Sequence, residues 1–486
     1  VVSAYVAPIS IKYLSQLIQC LEAEGIQSPV LVMQSNGGVV TADVAKRLPV
    51  QTLLSGPVGG TTAGVAINHT LKSISRDGLI CIDMGGTSFD VSLIAKGQSM
   101  LSQQTSIDFG MVVRSPMIEI TTIGAGGGSI AWVDKGGLLN IGPESAGSTP
   151  GPVAYGQGNT RPTVTDANVV LGRIDPDNPI GGKLDRLDVE AAKAAILEHV
   201  GTPLGLDALQ AAEAILRVAN SRMAGALRLV SIERGFDPKR FAFMPFGGGG
   251  ALHSGAMMAE VGLARSIVPR YPGVTSAMGC VIADMRQDFV QTINSTLSGI
   301  DLGALTGFMQ THVDDGLATL EAARTHFERR DTEFTLDMAY LGQTHTVSVT
   351  LPVTVTDGTV TPPTEADISA AFDSAYRATY GRLLENGTRR VINLRSAITG
   401  RRPRFDLSTL APVGGSVEDA LKGTRQVHFD GQWHETKLYH RLSLPVGAEV
   451  PGPAILEQPD TTVLIEPGLV GKVDAYGNTL IERATA

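Results

Sequence analysis

Two aspartates flank a glycine turn in the stretch LICIDMGGTSFDVSLI, residues 79–94. Asp83 ends one apolar run, the Gly-Gly-Thr of residues 85–87 follows, and Asp90 lies in a second apolar run. Glycine turns let backbone N–H groups converge on an anion, and a carboxylate at a strand end can hold Mg²⁺ through water. The spacing favours a metal–phosphate site, while an ordinary β-hairpin with a glycine-rich turn is the simpler interpretation.

A second glycine loop, GAGGGS at residues 124–129, is followed by a hairpin pattern whose turn falls at 134–137. The loop nearly matches the dinucleotide-binding pattern G-x-G-x-x-G, but Ser129 occupies the last position and no helix follows, so that interpretation has little support. We predict instead that Gly126 and Gly127 contact a cofactor. The chain has no G-x-x-x-x-G-K-[ST] motif of a P-loop and no G-x-S-x-G motif of a nucleophile elbow.

Four successive glycines, Gly247, Gly248, Gly249 and Gly250, lie between an apolar strand pattern, RFAFMPF, and a helical pattern. A helix that begins at such a loop directs its N-terminus towards whatever the loop holds. A tight strand–helix connection would also use glycine, but four in a row exceed what a turn requires and cost backbone entropy. We therefore predict a surface on which a flat ring or a phosphate lies at backbone distance.

Polar turns that follow other strand patterns supply further candidates. Ser35 and Asn36, in LVMQSNGG, are predicted to contact the substrate, and Asp166, in VTDAN, is predicted to be a catalytic carboxylate. His253 follows the tetraglycine, but an isolated histidine is more often structural than chemical. The nine histidines show no H-x-H or H-E-x-x-H spacing, so we do not expect a zinc site.

The elements that must position these residues alternate between strand and helix patterns in the first part of the chain, which indicates an α/β fold. The apolar spacing of residues 207–234 predicts a long amphipathic helix. Beyond about residue 290 a predicted helix at 302–329 gives way to short strands and proline-rich turns. We predict a core domain at 1–292 and a β-rich C-terminal domain at 300–486.

Composition excludes several classes of protein for this 486-residue chain. Its net charge of −9 argues against binding to the nucleic-acid backbone. No apolar run approaches the roughly 18 residues of a membrane span, so no membrane partner is expected. Three widely separated cysteines do not suggest a disulfide framework, and a reducing, cytoplasmic location fits them.

Taken in order, the motifs of the chain resemble one family closely, that of hydantoinase A and 5-oxoprolinase, which also includes nucleotide-binding subunits of ATP-dependent ketone carboxylases. The matching stretches extend over nearly the whole chain, from AYVAPI near its start to VDAYGN near its end. Between them lie LVMQSNGG, TLLSGPVGG, IDMGGTSFDVSLI, TIGAGGGSIAWVD, PTVTDANVVLGRIDP, PFGGGGALH, PGVTSAMGCVIAD and GPAILEQPDTTV.

The resemblance implies an α/β fold of the actin/hexokinase/Hsp70 type, a ribonuclease H-like nucleotide-binding lobe, joined to a β-rich α+β C-terminal domain. In that superfamily two lobes close on Mg²⁺–ATP. By this resemblance the tetraglycine matches the adenosine motif, Asp83 is the expected metal ligand, and the matching phosphate loop consists of Asp83, Gly85, Gly86, Thr87 and Asp90.

The resemblance further implies ATP-dependent hydrolysis of a small cyclic amide, such as a hydantoin or 5-oxoproline, through phosphorylation of the amide oxygen. A B-type subunit would be the partner that completes ring opening. One alternative is the nucleotide-binding subunit of an acetone- or acetophenone-type carboxylase. Another is an incomplete chain that binds a partner without catalysis.

Two departures from the family pattern affect these expectations. The family has an earlier Asp-x-Gly-Gly-Thr phosphate loop, and this sequence contains that motif only once, at Asp83. We therefore expect that an N-terminal segment is missing and that this chain alone hydrolyses ATP poorly. Ala154 stands where the family often has cysteine, so no thiol chemistry is assigned there.

Overall fold

The structure is a computed structural model and describes residues 2–70, 77–107, 110–182, 184–384 and 387–484. Its chain segments pack into two units, neither of which is one continuous stretch. The first unit contains Val1–Ser55, Gln103–Met117 and Ile282–Arg404, and the second contains Gly56–Ser102, Ile118–Val281 and Phe405–Ala486.

Helices occur in both units. In chain order the α-helices of the described residues are α1 (Val2–Ala23), α2 (Ala42–Arg47), α3 (Ser55–Thr70), α4 (Val164–Val170), α5 (Val189–Ile196), α6 (Thr202–Leu204), α7 (Ala208–Ile232), α8 (Ser254–Val261), α9 (Thr275–Ile282), α10 (Leu302–Ala322) and α11 (Glu365–Tyr380).

Strands are more numerous than helices. In chain order they are β1 (Leu31–Met33), β2 (Val39–Thr41), β3 (Gly78–Met84), β4 (Phe89–Ala95), β5 (Gln98–Ser99), β6 (Leu101–Ser102), β7 (Thr105–Ile107), β8 (Met111–Val113), β9 (Met117–Ile118), β10 (Ile120–Ile123), β11 (Ser129–Val133), β12 (Leu139–Ser145), β13 (Phe241–Phe246), β14 (Arg265–Val268), β15 (Met285–Thr296), β16 (Arg329–Tyr340), β17 (Val347–Thr350), β18 (Val355–Thr356), β19 (Thr359–Val360), β20 (Arg389–Arg401), β21 (Leu421–Phe429), β22 (Gln432–His440), β23 (Glu449–Pro451), β24 (Ala454–Gln458), β25 (Thr461–Ile465), β26 (Leu469–Val473) and β27 (Thr479–Arg483).

The second unit is built on a sheet with the strand order β10-β4-β3-β13-β14-β27-β26-β23. Strands β3, β4 and β10 form an antiparallel meander, β13 runs parallel to β3, and β14 runs parallel to β13. The first five strands in this sheet order are β10, β4, β3, β13 and β14. Numbered by their order along the chain they read 3-2-1-4-5, which is the arrangement of a ribonuclease H-like lobe. The remaining three strands extend the sheet in antiparallel fashion.

Apolar side chains cover both faces of the central strands of this sheet. Ile80 and Ile82 of β3 belong to one core, together with Ile215 of α7. Leu79 and Cys81 of the same strand belong to a second core, which also contains Ile67 of α3. Because β3 and β13 are buried on both sides, their sequences are continuous apolar runs rather than alternating patterns.

The first unit contains a separate sheet with the order β1-β2-β15-β20-β16-β17. Its strands pair antiparallel except for β2 and β15, which run parallel. One core of this unit joins Phe334 and Leu336 of β16 to Met309 of α10 and Phe372 of α11.

Two predicted helices can be compared directly with the structure. The helix predicted at 207–234 is confirmed as α7, where Asp207 and Gln210 form a capping box at its N-terminus. The helix predicted at 302–329 was too long, because α10 ends at Ala322 and β16 begins at Arg329. Arg324 adopts a left-handed backbone with a φ of 49°, a conformation that terminates helices.

The fold class is the predicted one, an α/β ribonuclease H-like nucleotide-binding fold with a β-rich α+β C-terminal part. The domain division between 1–292 and 300–486 stays a prediction. Every helix among the described residues is too short or too polar for a bilayer span.

Candidate functional site

The opening motif folds as a hairpin of β3 and β4 in the second unit, with Asp83 directly opposite Asp90 in the antiparallel register. Opposed residues in such a pair project from the same face of the hairpin. Asp90 accepts hydrogen bonds from the hydroxyls of Ser88, at 2.9 Å, and Thr122. Asp83 accepts a longer hydrogen bond from the hydroxyl of Ser276, at 3.4 Å, so the two carboxylates differ in environment.

The turn between the two aspartates is open to solvent. Gly85, Gly86 and Thr87 are exposed, and a Cβ added to either glycine would meet no atom within 4 Å. This open space over the turn is what a bound phosphate group would require, because its oxygens must approach backbone N–H groups closely.

The second glycine loop packs directly against this turn. The amide of Gly127 donates to the Gly85 carbonyl at 3.0 Å, and the amide of Gly128 donates to the Gly86 carbonyl. A Cβ on Gly126 would lie 2.6 Å from the carbonyl carbon of Thr87, which is closer than side chains can pack. This loop therefore fixes the shape of the turn, and Gly126 is required for the close backbone approach. The predicted contact of Gly126 and Gly127 with a cofactor stays a prediction.

The tetraglycine approaches from the opposite side, at the end of β13, which runs parallel to β3 with Phe246 in register with Asp83. The amide of Gly249 donates to the Met84 carbonyl at 3.1 Å. Gly247 has a φ of 78°, and its Cβ would lie 2.6 Å from Oδ1 of Asp83. A 3₁₀ turn, Gly250–His253, then precedes α8. The predicted phosphate turn and tetraglycine thus meet at Asp83.

Burial in this position raises the pKa of the Asp83 carboxyl to about 6, and the charge of Asp90 adds to the rise. A hydrogen bond from the hydroxyl of Ser276, at 3.4 Å, acts in the opposite direction. Negative charge is therefore concentrated at this end of the hairpin and only partly compensated. A cation bound beside Asp83 would relieve it.

Ser276 is a neighbour of Asp83 that the sequence reasoning did not single out. It lies in the first turn of α9, and that helix packs on α3 with backbone contact: a Cβ on Gly279 would lie 1.8 Å from the Gly59 carbonyl oxygen. A Cβ on Gly59 would lie 2.4 Å from the Ser276 carbonyl oxygen. The glycines in SGPVGG and SAMGC were the available signal, since paired glycines permit such close helix packing.

Asp166 lies in the interior of the second unit, at the N-terminus of α4. Its carboxylate accepts hydrogen bonds from the amides of Val153, Ala154 and Thr163 and from the Thr163 hydroxyl, at 2.7 to 3.1 Å. Burial raises the pKa of Asp166, and these hydrogen bonds oppose the rise. The contacts fix the 153–154 segment on α4, and the catalytic role stays a prediction.

Ser35 and Asn36 belong to the first unit and are both buried. The Ser35 hydroxyl donates to the carbonyls of Gln51 and Leu53. The Asn36 side chain donates to Asp288 and accepts from the amide of Gly38. Their predicted contact with substrate stays a prediction, while the other predicted site residues all lie in the second unit.

His253 is buried, and its Nδ1 lies 2.7 Å from Oδ1 of Asn220. Burial, together with the charge of Arg173, lowers the pKa of His253 to about 3, so the imidazole is neutral near pH 7. This arrangement ties the start of α8 to α7 and agrees with the structural interpretation of the residue.

The residues at the hairpin fit a magnesium–nucleotide complex. Mg²⁺ in such sites uses one or two carboxylates, with waters and phosphate oxygens as the remaining ligands. Asp83 and Asp90 could supply such carboxylates. Among the described residues there is no cluster of three or more His, Cys, Asp or Glu side chains suited to hold a metal without such additional ligands.

Comparison with known proteins shows which family the chain resembles. Residues 1–289 match the family model described as Hydantoinase/oxoprolinase, and residues 311–482 match the Hydantoinase/oxoprolinase C-terminal domain. The caprolactamase subunit alpha of Pseudomonas jessenii is 33% identical over 473 residues, which cover 96% of this chain and 67% of that subunit. The 5-oxoprolinase 1 of Arabidopsis thaliana is 30% identical over 99% of this chain and 38% of its own length.

Solved structures of a caprolactamase and an acetone carboxylase have a similar fold. The crystal structure of the ATP-dependent caprolactamase from Pseudomonas jessenii superposes with a TM-score of 0.79 at 31% identity, over 100% of this chain and 70% of that one. The nucleotide-free structure of an acetone carboxylase, from work on ATP-dependent acetone carboxylation, superposes with a TM-score of 0.81 at 26% identity, over 97% of this chain and 67% of that one.

Proposed function

Because the chain belongs to the hydantoinase/oxoprolinase family, we propose that it acts in the ATP-dependent hydrolysis of a small cyclic amide, as an A-type subunit or part of one. The observation that carries the proposal is that two backbone segments, the exposed turn at 85–87 and the tetraglycine, meet at Asp83, while the glycine loop at 124–129 packs on the turn and fixes its shape. Phosphate and adenosine could lie against these segments.

The proposed chemistry solves the problem that a ring amide is a poor electrophile. Transfer of the γ-phosphoryl group of ATP to the amide oxygen breaks the bond to the β-phosphate oxygen and releases ADP. Water adds to the activated ring carbon, and the ring C–N bond breaks, which leaves a free amine and an acyl phosphate. A second water then hydrolyses the acyl phosphate to a carboxylate and inorganic phosphate. Positioning and charge stabilisation account for most of the catalysis of phosphoryl transfer.

The residues of the chain have distinct tasks in this scheme. The N–H groups of Gly85 and Gly86 and the hydroxyl of Thr87 would bind phosphate oxygens at the open turn. Asp83 and Asp90 would orient Mg²⁺, which supplies positive charge beside the transferring group. The tetraglycine would lie against the adenosine.

The remaining roles rest on the sequence. Ser35 and Asn36 are proposed to contact the cyclic amide, and Asp166 is proposed to be a catalytic carboxylate. A B-type subunit is the proposed partner for ring opening, and a cytoplasmic location is proposed. The relative from Pseudomonas jessenii is the alpha subunit of a caprolactamase, which supports the proposal that this chain also works in a heteromeric assembly.

A second candidate function is nucleotide handling in an ATP-dependent ketone carboxylase. It is favoured by the acetone carboxylase superposition, whose TM-score of 0.81 is similar to the 0.79 of the caprolactamase. The same phosphate site would then activate an enol oxygen in place of an amide oxygen.

One assay separates the two candidates. The chain, combined with a B-type subunit, is incubated with Mg²⁺–ATP and either a cyclic amide (hydantoin, 5-oxoproline or caprolactam) or acetone plus bicarbonate. The proposal expects ADP and ring-opened product in equal amounts, and an Asp83→Asn variant that forms neither. ADP formation coupled only to acetone and bicarbonate would replace it with the carboxylase function, and no nucleotide binding in any mixture would contradict both.

A further inference from the structure

A hairpin far from the phosphate turn in sequence reaches the tetraglycine. Strands β24 and β25 pair antiparallel, with Gln458 opposite Thr461, so Pro459 and Asp460 form the turn between them. We call residues 458–461 the hairpin tip. The hydroxyl of Thr461, which is fully buried, donates to the Gly248 carbonyl at 3.1 Å.

Asp460 extends this contact to a second loop. Its Oδ2 accepts from the amide of Gly273 at 2.9 Å, and its Oδ1 accepts from the Gln458 side chain. A Cβ on Gly273 would lie 2.6 Å from the Cβ of Asp460, so the two segments are in close contact. The neighbouring Pro272 carbonyl accepts from the amide of Gly247 at 2.9 Å. Asp460 is therefore linked by hydrogen bonds to Gly247, the first glycine of the tetraglycine, through the Pro272–Gly273 segment.

The hairpin tip is itself rigidly held. The guanidinium of Arg441 is buried and donates to the Gln458 side chain and to the carbonyls of Val268, Pro269 and Arg270. On the other side, the Pro459 carbonyl accepts from the amide of Gly181 at 2.8 Å. A tip fixed in this way can impose a conformation on the loop that it contacts.

We propose that the hairpin tip is part of the nucleotide-binding site, with Thr461 and Asp460 as positioning residues for the tetraglycine. The inference rests on the proposed function, because it assumes that the tetraglycine binds the adenosine moiety. Four glycines have no side chains and high conformational entropy, so hydrogen bonds to their backbone help to hold them in one conformation. A loop that is already ordered loses less entropy when the nucleotide binds.

The test measures nucleotide affinity. A general disturbance of folding would weaken nucleotide binding equally in any variant of a buried threonine, whereas the inference expects weakening only at the hairpin tip. Mg²⁺–ADP is titrated calorimetrically into the chain and into Thr461→Val, which keeps the shape of the side chain but removes the hydroxyl donor. We expect the variant to bind ADP on the order of tenfold more weakly, the effect of one lost hydrogen bond and an unpaired carbonyl. Thr461→Ser restores the donor and should bind within about twofold of the unsubstituted chain.

A matched control is available in Thr436→Val. Thr436 is also fully buried, and its hydroxyl also donates to a backbone carbonyl, that of His434 at 3.1 Å, within its own strand. This variant should bind ADP within about twofold of the unsubstituted chain. Asp460→Ala, which removes a partly exposed turn side chain, provides a second test and should also weaken ADP binding.

The outcomes separate the inference from the function on which it rests. Equal ADP affinity in the Thr461→Val, Asp460→Ala and unsubstituted proteins would overturn the inference and leave the proposed function intact. Equal weakening in Thr436→Val would also overturn it, because the effect would then be general. If the folded, unsubstituted chain binds no ADP, the proposed function fails, and the inference fails with it.

Discussion

Replacing Asp83 by asparagine should stabilise the nucleotide-free protein while abolishing ATP-dependent turnover. The Asp83 carboxylate is partly buried opposite Asp90, and its hydrogen bond from Ser276 is long, at 3.4 Å. The pKa of this carboxyl is raised to about 6, from an ordinary value of 3.8. Ionised Asp83 is therefore a source of instability that the amide of asparagine lacks.

The size of the effect follows from the shift in pKa. A rise of about two units corresponds to about 3 kcal/mol, and residual solvent contact reduces this to about 1–3 kcal/mol. The native protein keeps the proton to higher pH than the unfolded chain, so the free energy of unfolding falls as pH rises from about 4 to about 6 and then levels off. The advantage of Asp83→Asn should thus be small near pH 4 and complete above pH 7.

Thermal unfolding in EDTA, without nucleotide, measures this difference at pH 5 and pH 8. Asp134→Asn is the control, since hydrogen bonds from the amides of Leu138 and Gly136 lower the pKa of that exposed carboxyl and its replacement should not stabilise. With Mg²⁺–ATP and a partner subunit, Asp83→Asn should lose turnover by a factor on the order of 10² or more.

Two results would refute this reasoning about Asp83. If the variant is less stable than the unsubstituted protein at pH 8, the carboxylate forms favourable contacts in the free protein, and its raised pKa has been misread. If the variant is more stable but turns over ATP normally, the carboxylate takes no part in holding the metal–nucleotide.

The other predictions concern the glycine segments and the isolated chain. Gly249→Val should weaken ATP binding in a calorimetric titration but leave the fold intact, because a Cβ there lies at an ordinary 3.6 Å from the Met84 side chain; unchanged affinity would favour a plain strand–helix turn. Gly126→Ala should lower the melting temperature, since its Cβ would lie 2.6 Å from the carbonyl carbon of Thr87, whereas Gly85→Ala should reduce ATP binding without loss of stability because its Cβ meets no atom within 4 Å. Equal melting temperatures for these two variants would contradict that distinction. The isolated chain, with its single Asp-x-Gly-Gly-Thr motif, should show near-background ATPase activity, and a rate of about 1 s⁻¹ or faster would show that other residues complete the site.

Local sequence was sufficient for elements whose conformation depends on near neighbours. The β3–β4 hairpin follows from two apolar runs around Gly-Gly-Thr, and α7 follows from its apolar spacing and the capping residue Asp207. The end of α10 was missed because the left-handed Arg324 carries no glycine signal. Ordered motifs along the whole chain were also enough to identify the family, since each motif is short and local.

Tertiary structure decided which of these local elements meet. Gly247 approaches Asp83 because β13 pairs in parallel with β3, and hydrophobic periodicity predicts a strand without identifying its neighbour. Ser276 contacts Asp83 because the glycines of α3 and α9 let the two helix backbones touch; the glycines are visible in the sequence, but which two helices they bring together is decided by long-range packing. The sequence by itself determined which residues could do the chemistry, whereas the order of strands and the close packing of helices determined which of them surround Asp83.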